Sequence, residues 1–126
     1  MRRPLILAAA LLVAATSACS FQNKDEKKAQ KITEAIVAND FAPVKDDISP
    51  GINISRVQIA EWSDELNAQG KLKSVKEDPA GCAPSYHCFD VQFEKRLYRE
   101  QMLVDDKGKV AKFSFHMADA TPAPAR

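Results

Sequence analysis

"CFDVQFEKRLYREQMLVDDKGKVAKFSFHM", residues 88–117, decides the fold. Phe89, Val91 and Phe93 alternate with Asp90, Gln92 and Glu94, the period of a strand with one dry face and one wet face. Tyr98, Met102, Leu103 and Val104 predict a further strand, entered through a turn near Lys95–Arg96 that lacks glycine. "VDDKGKV", residues 104–110, is the stronger hairpin signal, because Gly108 can take the left-handed position of a three-residue loop. In the last strand, Val110 to Met117, the apolar face is expected to hold Ala111, Phe113, Phe115 and Met117. Lys112, Ser114 and His116 then face water.

Upstream, Leu72 and Val75 mark a first strand that ends at Asp78–Pro79. Before it the period is helical. Ser55 and Gln58 are spaced as a capping box, and Ile54 and Ile59 as a hydrophobic staple. They predict a helix from Arg56 to Gln69 that buries Ile59, Trp62 and Leu66 and stops at Gly70. An earlier stripe of Ala29, Ile32, Ile36, Val37 and Phe41 predicts a helix from Lys27 to Phe41. Pro43 interrupts the backbone before Val44 and Ile48, and residues 46–53, "DDISPGIN", form a loop. A sheet with one apolar face needs cover, and these helices are the cover at hand. The expected fold is α+β: two N-terminal amphipathic helices packed on one face of a curved antiparallel sheet of about four strands.

The first residues carry an address. Arg2 and Arg3 precede an apolar run from Leu5 to Ala15 and then Thr16-Ser17-Ala18-Cys19, the parts of a secretory signal. As a helix the run reaches about 16 Å, short of the roughly 20 residues of a transmembrane span. Small residues at Thr16 and Ala18 would also suit an ordinary signal peptidase. The stretch Ala15 to Cys19 resembles the bacterial lipobox, with Thr16 where leucine is commoner. That resemblance implies acylation of Cys19 and removal of residues 1–18, and two or more acyl chains anchor a protein stably. Ser20, in place of the aspartate that retains such lipoproteins at the inner membrane, points to the outer membrane facing the periplasm. The expected layout is a signal peptide over 1–18, a lipidated Cys19 with a polar tether over 19–26, one α+β domain over 27–118, and a disordered Pro/Ala-rich tail over 119–126.

Loss of Arg2 and Arg3 would take the 18 basic residues to 16 against 17 acidic. Charges of both signs are interspersed, which argues against nucleic acid as a partner. In an oxidising compartment Cys82 and Cys88 are expected to form a disulfide. Its closed loop is worth roughly 2 kcal/mol by chain entropy. Cys82, His87, Cys88 and His116 could also be read as zinc-type ligands, but the spacing is not a zinc pattern and adjacent His87 and Cys88 diverge in extended backbone. No metal and no cofactor is expected.

Ser55, Ile59, Trp62, Leu66, Gly70, Leu72 and Val75, with the later "FEKRLYREQMLVDDKGKVAKF", resemble an uncharacterised lipoprotein family, domain of unknown function 3887. The resemblance covers roughly residues 28–117. It implies the cone-shaped α+β superfamily similar to nuclear transport factor 2, here with one helix fewer, and it brings no catalytic residues. Two functions follow. The first is a non-catalytic interaction module with an envelope protein partner, contacted through "CAPSYHC", where the disulfide would pre-organise Pro84, Tyr86 and His87. The second is a small-ligand pocket around Trp62 and Tyr98. Its catalytic variant, of ketosteroid-isomerase type, needs an inward acid such as Asp40, Asp64 or Glu100 with a raised pKa.

Overall fold

The computed structural model describes residues 22–80 and 82–118. The leader, Cys19 and the tail over 119–126 lie outside the described residues. Helix α1 (Lys24–Val37) and helix α2 (Arg56–Asn67) flank a short 3-10 helix (Ala42–Asp47), and strands β1 (Leu72–Glu77), β2 (His87–Phe93), β3 (Leu97–Val104) and β4 (Val110–Met117) follow. The four strands form one antiparallel sheet in the order β1-β2-β3-β4.

Helix α1 begins three residues before the expected Lys27, inside the stretch read as a tether. Asn23 Oδ1 accepts the Glu26 N–H at 2.7 Å, and Glu26 Oε1 accepts the Asn23 N–H at 3.1 Å. This is a reciprocal capping box, spelled Asn-x-x-Glu. The helix also stops before the expected Phe41. Asn39 adopts φ 52°, its N–H donates to Ile36 O, and the Asp40 N–H donates to Ala35 O. Those two bonds are a Schellman end with asparagine in the left-handed position. Phe41 therefore leaves the helix and stacks on Phe113, ring centroids 5.9 Å apart. Pro43 sits in the first turn of the 3-10 helix, which buries Val44.

Helix α2 starts where expected, with Ser55 Oγ accepting the Gln58 N–H. Gly70 ends its connection at φ 85°, and a Cβ there would press on the Glu94 side chain at about 3 Å. The turn after β2 needs no glycine because the chain before β1 ties it down: the Glu94 N–H donates to Lys71 O and the Lys95 N–H to Gln69 O.

One face of the sheet carries the core: Val75, Phe89, Val91, Phe93, Tyr98, Met102, Phe113 and Phe115 pack with Ala29, Ile32, Ile36 and Leu66 of the helices. The alternation of β4 departs from expectation at both ends. The register slips between Leu103 and Val104, so Val104 pairs with Val110 while Leu103 pairs with Lys112. The bulge gives Ala111 no opposite number and resets the phase. Val110 is thereby buried, Ala111 only half-buried, and Met117 is 45% exposed rather than part of the core.

Candidate functional site

Cys82 and Cys88 are joined as a disulfide with Cα atoms 5.8 Å apart. Inside it, Ala83 to Tyr86 form a turn closed by the Tyr86 N–H to Ala83 O bond. Pro84 occupies its second position and Ser85 its third, at φ 74°. That is the arrangement of a type II turn, which favours glycine at the third position. Arg99, on the outer face of β3, ties the same connection back onto the sheet. Its Nη2 lies 2.8 Å from Asp78 Oδ2 and 3.3 Å from Asp90 Oδ1, and its Nη1 donates to Ala80 O. The sequence reading missed Arg99, although alternation places it and Asp90 opposite one another on the wet face.

The three loop residues expected to act together are divided. Pro84 is exposed and Tyr86 half-buried, on the wall of a cleft it shares with Trp62. His87 pairs with Met102 and shares the helix-covered face. Its Nδ1 lies 3.5 Å from Glu77 Oε1 and 3.6 Å from Asp25 Oδ2, at the start of α1. His87 thus belongs to the contact between helix and sheet.

Trp62 and Tyr98 are likewise separated. Trp62 packs on Phe113 and Phe115, with centroids at 5.5 and 5.7 Å. It also borders a cleft of about 460 Å³ whose wall is completed by Ile52, Ile54, Tyr86, Lys112 and Phe113 and by the amides of Asn53, Gln58 and Gln101. Tyr98 is fully buried, edge-on to Phe93, and its hydroxyl donates to Glu65 Oε1 at 3.1 Å. It takes no part in the wall of that cleft.

Of the acids considered, Asp64 is exposed and Asp40 caps its own turn by accepting the Ala42 N–H. Glu100 is different. Its position two residues from Tyr98 and from Met102 turns it inward, between Phe89 and Phe115 on the neighbouring strands, and it is fully buried. Burial pushes its carboxyl up to about 8, against a weaker opposing pull from the Thr33 hydroxyl. Thr33 Oγ1 stands 2.9 Å from both Glu100 Oε2 and Ala29 O. A hydroxyl has one proton to give. With Glu100 protonated, the carboxyl O–H donates to Thr33 and Thr33 donates to the Ala29 carbonyl. Glu100 Oε1 is buried with no partner, and Glu100 lines none of the clefts described among these residues.

His116 is exposed, with Nε2 3.2 Å from Ser114 Oγ. Among the described residues no three His, Cys, Asp or Glu side chains are grouped to hold a metal ion, and no helix is long and apolar enough to cross a membrane. No family model, curated protein or solved structure matches this chain.

Proposed function

We propose that this chain is a non-catalytic binding module, held on the bacterial envelope through acylated Cys19 and facing the periplasm. The observation that carries the proposal is the cleft between α2 and β4. It combines Trp62, Tyr86 and Phe113 with amide groups and a single charged side chain, Lys112, and it opens beside a strand at the sheet margin. Rigid aromatic residues next to satisfiable polar groups are typical of protein contact surfaces. The partner is an envelope protein, and membrane contact comes from the acyl chains. On the resemblance of the sequence alone, we take the chain as a shortened member of the cone-shaped superfamily similar to nuclear transport factor 2 and of the lipoprotein family the sequence resembles.

The isomerase-type alternative has one observation in its favour, the raised pKa of Glu100. Catalysis also needs the acid within reach of a substrate. Glu100 is sealed between α1 and the sheet, so we read it as a structural acid.

Native mass spectrometry of the protein extracted gently from its own membranes tests the proposal. The expected species is triacylated at Cys19, two protons lighter for the Cys82–Cys88 bridge, and free of any small-molecule passenger. A stoichiometric small molecule would replace the interaction module with a ligand carrier. Membrane retention unchanged by Cys19→Ala would remove the anchor.

A further inference from the structure

The two margins of the sheet are finished differently. Hydrogen bonds at the strand ends fix which backbone groups point outward. The Ala118 N–H donates to Leu97 O, so by the two-residue period Ser114 and His116 also bond to β3, and Phe113, Phe115 and Met117 present their N–H and C=O groups away from it. At the opposite margin the same period turns Glu77 outward, and its N–H is taken by Glu26 Oε2 at 3.2 Å. On the β4 side one rung is filled: Ile48 bridges Val110 in parallel, and the Ser49 N–H donates to Val110 O at 2.9 Å. Past that rung, among the described residues, no backbone partner meets Phe113, Phe115 or Met117.

We infer that the β4 edge is a strand-pairing interface whose occupant is β4 of a second copy of this chain, joined antiparallel about a two-fold axis at Phe115. The inference rests on the binding-module reading and names its partner. Outward groups must meet outward groups, which leaves few registers. A two-fold at Ser114 sets Lys112 across from His116 and drives the partner onto Val110, whose edge Ser49 already fills. A two-fold at His116 sets that histidine against its own copy. A two-fold at Phe115 avoids both. It places Phe115 against Phe115, Phe113 against exposed Met117, Ser114 against His116, and Lys112 against Ala118, with apolar pairs on the inner face and the polar Ser114–His116 pair on the outer. The two-fold at Phe115 thus keeps Lys112 apart from His116 and the partner clear of Val110, which favours it over the other two registers. At the other margin Glu26 already holds the outward N–H of Glu77, so addition is directed to β4, and addition through β4 alone closes as an isologous dimer instead of growing into a filament.

The test is sedimentation equilibrium of the full chain in mild detergent, wild type beside Met117→Pro. The Met117 N–H serves no bond to β3 and its side chain is outside the core, so proline is tolerated there by the fold while it removes a rung from the edge. A dimer is expected, weakened at least roughly tenfold in Met117→Pro because the symmetric pair loses two hydrogen bonds. Circular dichroism confirms that the variant is folded; should it not be, Met117→Lys carries the same comparison. The register is read by mixing Ser114→Cys chains with His116→Cys chains. Directly opposed, non-hydrogen-bonded positions are close enough for a disulfide, so oxidation should yield a 114-to-116 crosslink, and its absence from the mixture overturns the register. A dimer indifferent to both Met117 substitutions overturns the edge. A monomer at the highest attainable concentration overturns the second copy as occupant. In that case amide shifts at residues 113, 115 and 117 on adding a capped Thr-Val-Thr-Val-Thr-Val peptide would preserve the binding module with a foreign strand, and no shifts would remove both.

Discussion

The β1 and β4 margins differ in what a single side chain does. Glu26 serves two ends at once: one oxygen closes the capping box of α1 and the other takes the outward N–H of Glu77. Asn23 Nδ2 donates to Glu77 Oε2, so the start of the helix is fastened to the end of the strand. Along the same margin, Gln30 and Glu34 of α1 continue a polar cleft of about 740 Å³ against β1. An incoming strand would have to displace a carboxylate already bonded twice. At β4 the only comparable device among the described residues is the short Ile48–Ser49 rung, and the chain turns away at Pro50–Gly51. An unpaired edge is a liability unless it is used or blocked. Here one margin is blocked by a helix cap and the other is left to pair.

The largest expected effect comes from a change that should leave this comparison intact. Glu100 lies between the margins, and its carboxyl titrates near 8 in the folded chain against an ordinary value of 4.5. The folded protein therefore holds a proton that the unfolded chain releases, and stability falls as pH rises from about 4.5 toward 8. By pH 7 the loss is of order 3 kcal/mol. Glu100→Gln keeps the shape and can donate to Thr33. It should be close to wild type at pH 4.5, more stable by of order 3 kcal/mol at pH 7, and nearly flat between. Urea melts across that range check it; a wild type and variant with parallel pH profiles would mean that Glu100 is ionised and solvated. Sedimentation of the same variant should be unchanged, because no edge group has moved.

Much of this architecture was legible in the sequence, and the misses share a cause. Periodicity finds the strands because each buries one face, but it leaves Glu100 as one of three candidate acids with Asp40 and Asp64, and the strand pairing is what turns Glu100 inward. The β4 bulge escaped because Ala111 is apolar enough to fit the alternation it interrupts, and only the pairing of Val104 with Val110 betrays the extra residue. The start of α1 was misplaced because Lys24 to Glu26 reads as a solvated charge run, although Asn23 and Glu26 carry the capping spacing. The double role of Glu26 and the clamp of Arg99 on Asp78 and Asp90 depend on contacts across the fold, which local pattern does not encode. His87 was placed with Pro84 and Tyr86 by adjacency, while the alternation of an extended chain had already sent it to the opposite face.

Glu26 offers the next effect in size and the sharpest break in the comparison. Glu26→Ala leaves the Asn23 cap on the residue-26 N–H but removes the reciprocal half of the capping box and the bond to Glu77 together, an expected loss of about 2 kcal/mol for the two hydrogen bonds. Glu26→Gln can still cap through one acceptor oxygen but cannot serve both N–H groups, so the loss should be nearer 1 kcal/mol. Both free the outward N–H of Glu77. If the block confines assembly to β4, these variants should pass from a closed pair to open-ended growth, seen as light scattering that rises with concentration under native conditions. Growth equal to wild type in Glu26→Ala would show that the bulk of α1, rather than its carboxylate, guards β1.

The smallest expected effect lies at Ser85, in the connection that leaves the blocked margin and brings Tyr86 to the cleft on the open one. Its φ of 74° costs an L-residue roughly 1 kcal/mol or more, which glycine avoids. Glycine also gains freedom in the unfolded chain, and that offsets part of the relief. Ser85→Gly should therefore raise stability by only about 0.5 kcal/mol, while Ser85→Val, β-branched and poorly suited to this region, should lower it by about 1 kcal/mol. The two melts are best compared with the disulfide intact and again after reduction. If the Cys82–Cys88 bridge holds the turn in this conformation, the gap between glycine and valine should shrink on reduction, because the loop is then free to relax. A gap that persists would place the constraint in Arg99 and its hold on Ala80, and Arg99→Met would be the variant that closes it.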